Sequence, residues 1–316
     1  MRRYIIRRLL ALPMIAAAVS VITFAVLRSP WAGDPAVLLA GQGASTDQIA
    51  GIRHTLGLDR PIVVQFGDWI GHLLRGDFGR TFRGQQPVWP EITRRLPITF
   101  EIMALAVLFG TFFGVLYGII SAIRQNTWLD YGLRVFAVFG QSIPSFFLLV
   151  LLIVLPSLWW HYSPPVGGHK ALFAHPWENL RLYVPPTLIL AVTHAATLMR
   201  LTRSTLLDVL RQDYVRTANA KGLRERSVVM RHALRNALIP IVTITGGLIA
   251  ELFFGALILE QVFSINGLGQ FFFQSVLSRD YPVVQFLVVY TAGVVIVLNL
   301  LVDLSYVVLD PRVRYT

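Results

Sequence analysis

Residues 212–240 read Q-D-Y-V-R-T-A-N-A-K-G-L-R-E-R-S-V-V-M-R-H-A-L-R-N-A-L-I-P, a polar, strongly basic, helix-compatible stretch between two apolar runs. A charged segment of that size has to sit in water, and the sign of its charge selects the side of the membrane on which it sits. Its regular patterning is that of a surface built for a partner, not of a passive linker.

The chain around it is apolar. Of its 316 residues, 55% are hydrophobic and 14% charged, with mean hydropathy +0.61. Soluble domains carry about 25% charged residues. Several apolar runs approach the ~20 residues needed to cross a bilayer, so the composition is that of a polytopic membrane protein. The net charge of +11 is then a topological signal. No basic stripe is interleaved with aromatics as a nucleic-acid stacking platform would be. The absence of cysteine excludes disulfides, thiolate metal sites and thiol nucleophiles.

Six spans can be drawn: Leu9–Leu27, Ile98–Ile123, Leu133–Leu155, Val184–Met199, Leu238–Phe263 and Val283–Leu309. The first, with its basic start, has some signal-peptide character, but it is long and no small-residue cleavage site follows, so a retained anchor is expected. In the short loops and termini, seventeen basic residues fall on one side and three (Lys170, Arg181, Arg279) on the other. Basic residues flank spans on the cytosolic side, so both termini are expected there. The long Arg28–Arg95 loop is expected outside, since long loops cross largely regardless of charge. In it, Thr46–Leu56 reads as a helix N-capped by Ser45 or Thr46. Arg60-Pro61 ends that helix, and Pro61–Leu74 is amphipathic. This loop is either a helix pair resting on the membrane or a landing surface for an external partner.

The resemblance lies in Asp213–Pro240. R-T-A-N-A-K-G-L and H-A-L-R-N-A-L-I-P resemble the cytosolic loop of permease subunits of ATP-binding-cassette importers, in the dipeptide, oligopeptide and nickel branch. Against the wider family pattern, anchored on Gly222, the E-A-A positions fall on Arg216, Thr217 and Ala218, and only Ala218 and the glycine match. Pro240 comes five residues later than that pattern's proline. The branch's own variant fits throughout. Further segments agree: the N-terminal R-R-Y-I-I-R-R-L-L, L-G-L-D-R-P at Leu56–Pro61, G-D-F-G at Gly76–Gly79, S-I-P-S-F at Ser142–Phe146, I-N-G-L-G at Ile265–Gly269 and D-P-R-V-R at Asp310–Arg314.

The resemblance implies an all-α protein with six transmembrane helices. Residues 1–27 would form the cytosolic N-terminus and first span, 28–97 an extracytoplasmic subdomain, and 98–316 a permease core with a coupling loop at about 200–237. It also implies a paralogous permease as heterodimer partner, two cytosolic ATPase subunits, an extracytoplasmic solute-binding protein, and a place in the cell membrane. Asp213, Tyr214, Arg216, Thr217, Ala218, Ala220, Lys221, Gly222 and Leu223 would contact the ATPase. In that role the small Ala218 and Ala220 allow close approach, and Gly222 allows a turn between short helices. Tyr214, Val215 and Leu223 would offer an apolar ridge. The alternative for this loop is a basic helix on anionic lipid.

No G-x-x-x-x-G-K-[ST] cradle occurs, so ATP and Mg are expected on the partner subunits and no cofactor on this chain. The seven histidines form no H-E-x-x-H pair, and no metal site is expected. Ionisable groups within spans are functional suspects. Glu251, Glu260 and Asp303 are candidates for a translocation path, for inter-subunit polar pairs, or for groups nearer water than the drawn spans suggest, and Gln141 and Asn299 for a polar wall of the path or helix-packing glue. Pro144 should kink or break the third span, which suits a gate or plain packing. Two other classes stand beside the importer: an ion-coupled secondary transporter, which would leave the basic loop without a role, and an intramembrane enzyme built from Ser142, Ser145 and His194.

Overall fold

The computed structural model describes residues 2–29, 32–41, 43–82, 84–220, 222, 228 and 234–309. Among the described residues there are twelve helices and no strand. They are α1 (Arg2–Leu27), α2 (Pro35–Ala40), α3 (Thr46–Thr55), α4 (Ile62–Leu74), α5 (Val88–Ile123), α6 (Trp128–Ser142), α7 (Ser145–Trp160), α8 (Pro176–Leu210), α9 (Asp213–Ala220), α10 (Leu234–Val262), α11 (Leu268–Leu277) and α12 (Tyr281–Leu309). Four stretches are long and apolar enough to cross a membrane: α5, α8, Pro240–Val262 of α10 and Tyr281–Val302 of α12. The pair α6–α7 is a fifth candidate. In α1 the apolar stretch among the described residues is Leu12–Leu27.

The third expected span is not one helix. α6 and α7 meet at 100°. Ile143 precedes a proline and takes extended backbone (φ −95°, ψ 123°), as the residue before proline prefers. Pro144 follows at φ −57°, ψ 133°, and its carbonyl accepts from the Phe147 N–H at 3.0 Å to begin α7. One proline therefore turns a single apolar run into two helices.

The chain divides into two compact units. The first gathers residues up to Leu96 with Gln270–Val297. Its short helices α2 and α3 start as the sequence suggests. Ser45 closes a capping box on α3: its Oγ accepts from the Gln48 N–H, and the Gln48 side chain accepts from the Ser45 N–H. Asp34 caps α2 by accepting from the Ala36 N–H at 2.8 Å and also pairs with Arg53 of α3. α4 docks on α1 through aromatics, with Phe66 and Trp69 packed on Phe24 at centroid distances of 5.2 and 5.9 Å. The loop before α5 is held to the start of α12. Phe78 packs on Phe286 with tilted rings 4.5 Å apart, the Phe82 N–H donates to Asp280 at 2.9 Å, and the Tyr281 hydroxyl donates to the Ala32 carbonyl. The first unit thus includes residues 270–297.

The second unit runs Pro97–Gly269 with the last part of α12 from Leu298. α8 is its axis. The apolar stretch of α8 is 61% buried, against 28–35% for the other three candidate spans, because α6, α7, α9 and α10 all pack on it. α5 approaches α8 along a stripe of glycines, Gly110, Gly114 and Gly118. A Cβ on Gly114 would lie 2.7 Å from Leu198 Cβ and 2.9 Å from the Ala195 carbonyl oxygen. Small residues at four-residue spacing let two membrane helices touch backbone to backbone, and van der Waals contact supplies much of the cohesion there.

Candidate translocation cavity and docking helix

The bend at Pro144 opens a cavity of about 300 Å³ among α6, α7, α8 and α10. Helical spacing places its polar groups. Thr193, His194 and Thr197 share one face of α8, while Leu248, Glu251, Leu252 and Gly255 share one face of α10. Gln141, in the last turn of α6, donates through Nε2 to Thr197 Oγ1 at 3.1 Å. Thr197 Oγ1 donates to the Thr193 carbonyl at 3.1 Å, and Thr193 Oγ1 to the Gly140 carbonyl at 3.2 Å. His194 is 3% exposed, its Nε2 lies 3.3 Å from Thr111 Oγ1, and its Nδ1 has no hydrogen-bond partner. Glu251 is exposed. The cavity therefore offers one carboxylate, an amide, hydroxyls and an imidazole, set among Phe146, Leu190 and other apolar walls. That chemistry suits a small polar solute more than an apolar one.

Three path candidates from the sequence, Gln141, Pro144 and Glu251, come together here. The others do not. Glu260 is completely buried, and its carboxylate accepts from the Gly269 N–H at 2.6 Å beneath the Ile265–Gly269 turn. A side chain on Gly267 would strike that carboxylate, so only glycine fits there. Asn299 is half-buried on α12 and does not line the cavity. Asp303 also lies on α12, and its side chain falls outside the described residues. Ser142 Oγ donates to the Val138 carbonyl at 2.8 Å and His194 pairs with Thr111, so no serine–histidine pair forms among the described residues.

Sequence reasoning missed one site. Asp130, in the first turn of α6, is completely buried. It accepts from Arg203 Nε and Nη2 at 2.8 and 2.9 Å, from Ser121 Oγ, and from the Asn126 N–H at 3.1 Å. Arg134 approaches it at 3.6 Å. Arg134 and Arg203 enter the sequence reading only as topological charges. The signal that was available is an aspartate three residues after a capping threonine, at the very start of an apolar run.

Most of the expected ATPase-contact residues lie on α9. Val215, expected on an outward ridge, is instead completely buried with Leu206, Val209, Ala237 and Ile241. Burying a valine contributes about 1.5–3 kcal/mol and fastens α9 to α8 and α10. Asp213, Tyr214, Thr217 and Ala220 are exposed along one helical face, with Tyr214 at 40%. Gly222 follows at φ +76° with open space around it, so the backbone angle is what requires glycine there. Lys221 and Leu223 lie outside the described residues, as do the side chains of Arg216 and Ala218.

Comparison with known proteins settles the family. Residues 114–315 match the family described as binding-protein-dependent transport system inner membrane component, and residues 1–103 match its N-terminal companion. The chain belongs to this family of transport permeases. The permease is 39% identical to a Brucella abortus protein named as a peptide transport system permease, over 100% of both chains. It is 39% identical to the glutathione transport system permease protein GsiC of Salmonella choleraesuis, again over 100% of both. It is 35% identical to the dipeptide transport system permease protein DppB of Alkalihalophilus pseudofirmus, over 100% of both. Among solved structures it resembles the inward-facing MetNI methionine ABC transporter (TM-score 0.51, 18% identity, 69% of this chain and 96% of that one), a likeness of fold. The permease is a multi-pass inner-membrane protein and a transport component, not itself of a catalytic family.

Proposed function

We propose that this permease is the transmembrane subunit of an ATP-driven importer for short peptides or similar small solutes. An extracytoplasmic binding protein delivers the solute. α1 and the α6–α7 pair complete six spans, with both termini in the cytosol. A paralogous permease supplies the other half of the pore, and two cytosolic ATPases, carrying ATP and Mg, dock on the segment from Asp213. ATP can shift the inward–outward equilibrium only by favouring one conformation. The physical link is α9: its exposed face would meet an ATPase while Val215 roots it in the helices that wall the cavity.

The observation that supports this reading is the packing of Val215 of α9 against α8 and α10, which also bound the cavity. The test is ATP-dependent solute uptake into proteoliposomes holding the assembled transporter, with and without Val215→Asp. The reading requires uptake to fall at least about tenfold, since a buried charge costs several kcal/mol and should free α9. Uptake that ignores both ATP and the substitution would favour an ion-coupled transporter.

A further inference from the structure

A second cavity, about 530 Å³, lies further along α8. Arg134, Arg200, Arg203 and Ser204 line it. Thr197 lines both cavities, and the Gln141–Thr197 hydrogen bond stands at that shared wall. The two cavities carry opposite charge. The first holds the Glu251 carboxylate. The second is lined by three guanidiniums, and the only carboxylate bonded to them among the described residues is that of Asp130, which takes Arg203 and, more distantly, Arg134. Arg200 is exposed. Charged groups in membrane helices pair or face a water-filled cavity, and unneutralised arginines are strong carboxylate ligands. Thr193 and Arg200, one in each cavity lining, are seven residues apart on α8, or ~10 Å. An extended chain of three residues spans about the same length.

We infer that the two cavities form one bipolar path for a zwitterionic solute, with its ammonium group toward Glu251, its carboxylate toward Arg200 and Arg134, and the Gln141–Thr197 pair as the closed constriction between them. This rests on the transport reading above and narrows it to solutes of about two to four residues with both ends free.

The chain has no cysteine, so introduced thiols report on each cavity alone. Leu248→Cys and Ser204→Cys variants of the full chain in native membranes are labelled with a trimethylammonium and with a sulfonate methanethiosulfonate. The Ser204→Cys thiol should favour the anionic reagent, and the Leu248→Cys thiol the cationic one, with a combined preference on the order of tenfold or more. Arg200→Gln should remove the first preference and Glu251→Gln the second. Equal labelling by both reagents at both positions overturns the bipolar path. In the assembled transporter, trialanine should be imported well, and N-acetyl-trialanine and trialanine amide poorly, with Arg200→Gln erasing the gap between acid and amide. A working, ATP-dependent importer that takes all three equally also overturns the path. Failure to find ATP-dependent uptake of any of them, with correct labelling, would instead remove the importer reading and leave the charge assignment standing.

Discussion

Arg203 on α8 holds both carboxylate oxygens of Asp130 on α6, through Nε at 2.8 Å and Nη2 at 2.9 Å. The two residues are 73 positions apart, and Asp130 is fully buried. A bidentate pair fixes distance and orientation together, so this contact sets how α6, and the Pro144 bend beyond it, lies against α8. Removing one partner of a buried pair strands the other charge. Asp130→Ala should therefore cost on the order of 3 kcal/mol. Arg203→Lys should cost less but should also loosen the bend, since an ammonium cannot make the fork. Thermal unfolding in mild detergent measures both. The double replacement Asp130→Leu with Arg203→Met should recover most of the loss, because apolar packing can replace a buried pair. Additive losses in that cycle would show that the two groups act separately.

The glycine stripe of α5 gives a second expectation. A side chain on Gly114 would meet Leu198 and the Ala195 backbone, and one on Gly118 would lie 2.9 Å from the Met199 carbonyl oxygen. Backbone cannot move aside cheaply. Gly114→Leu should prevent stable accumulation of the protein in the membrane. Gly132→Ala on α6, with nothing within 4 Å of the new methyl, should be neutral or stabilising by up to about 1 kcal/mol. Membrane yield and melting temperature of the two variants separate close packing from a general intolerance of glycine replacement.

Much of this fold was legible in the sequence. α5, α8, α10 and α12 lie where long apolar runs stand, because hydrophobic length alone identifies a membrane helix. The Ser45 cap and the break at Pro144 were legible because capping and proline chemistry are local. What escaped was set by distant partners. The angle at Pro144 depends on what the two helices pack against. Glu260 is buried beneath the Ile265–Gly269 turn, a contact that its own helix does not reveal. Val215 looked like an outward ridge because α9 alone does not reveal that Leu206, Val209 and Ile241 cover it. Asp130 and Arg203 are ordinary residues in their own segments and become a pair only in three dimensions.

The first unit should be acid-sensitive at one joint. Burial would raise the Asp34 carboxyl, but its bonds to Arg53 and the Ala36 N–H, with the charges of Arg53 and Arg28, outweigh that and hold it below the usual carboxylate range. A depressed folded pKa means that the stabilisation is complete well above pH 4 and is lost as pH falls through the lower, folded value. The α2–α3 joint should therefore loosen only below about pH 4. Hydrogen exchange across Pro35–Thr55 measures it. Asp34→Asn keeps the cap and should abolish the pH dependence; an unchanged acid transition in that variant would assign it to another group.

Gly222 bears on coupling. Its φ of +76° costs a residue with a Cβ about 1–2 kcal/mol. Gly222→Val should leave insertion and both cavities intact while lowering stimulation of the partner ATPase by loaded binding protein about tenfold or more, consistent with that strain. Full stimulation would free the turn from any part in coupling.

The most direct test of the central claim, that α9 and the turn after it dock an ATPase engine, is a mild-detergent purification of the permease from its native membrane with identification of every stoichiometric partner. A P-loop ATPase and a second, related permease should accompany it, and Val215→Asp should release the ATPase while keeping the permease pair. A chain that emerges alone or only with copies of itself, even after cross-linking, would contradict the account.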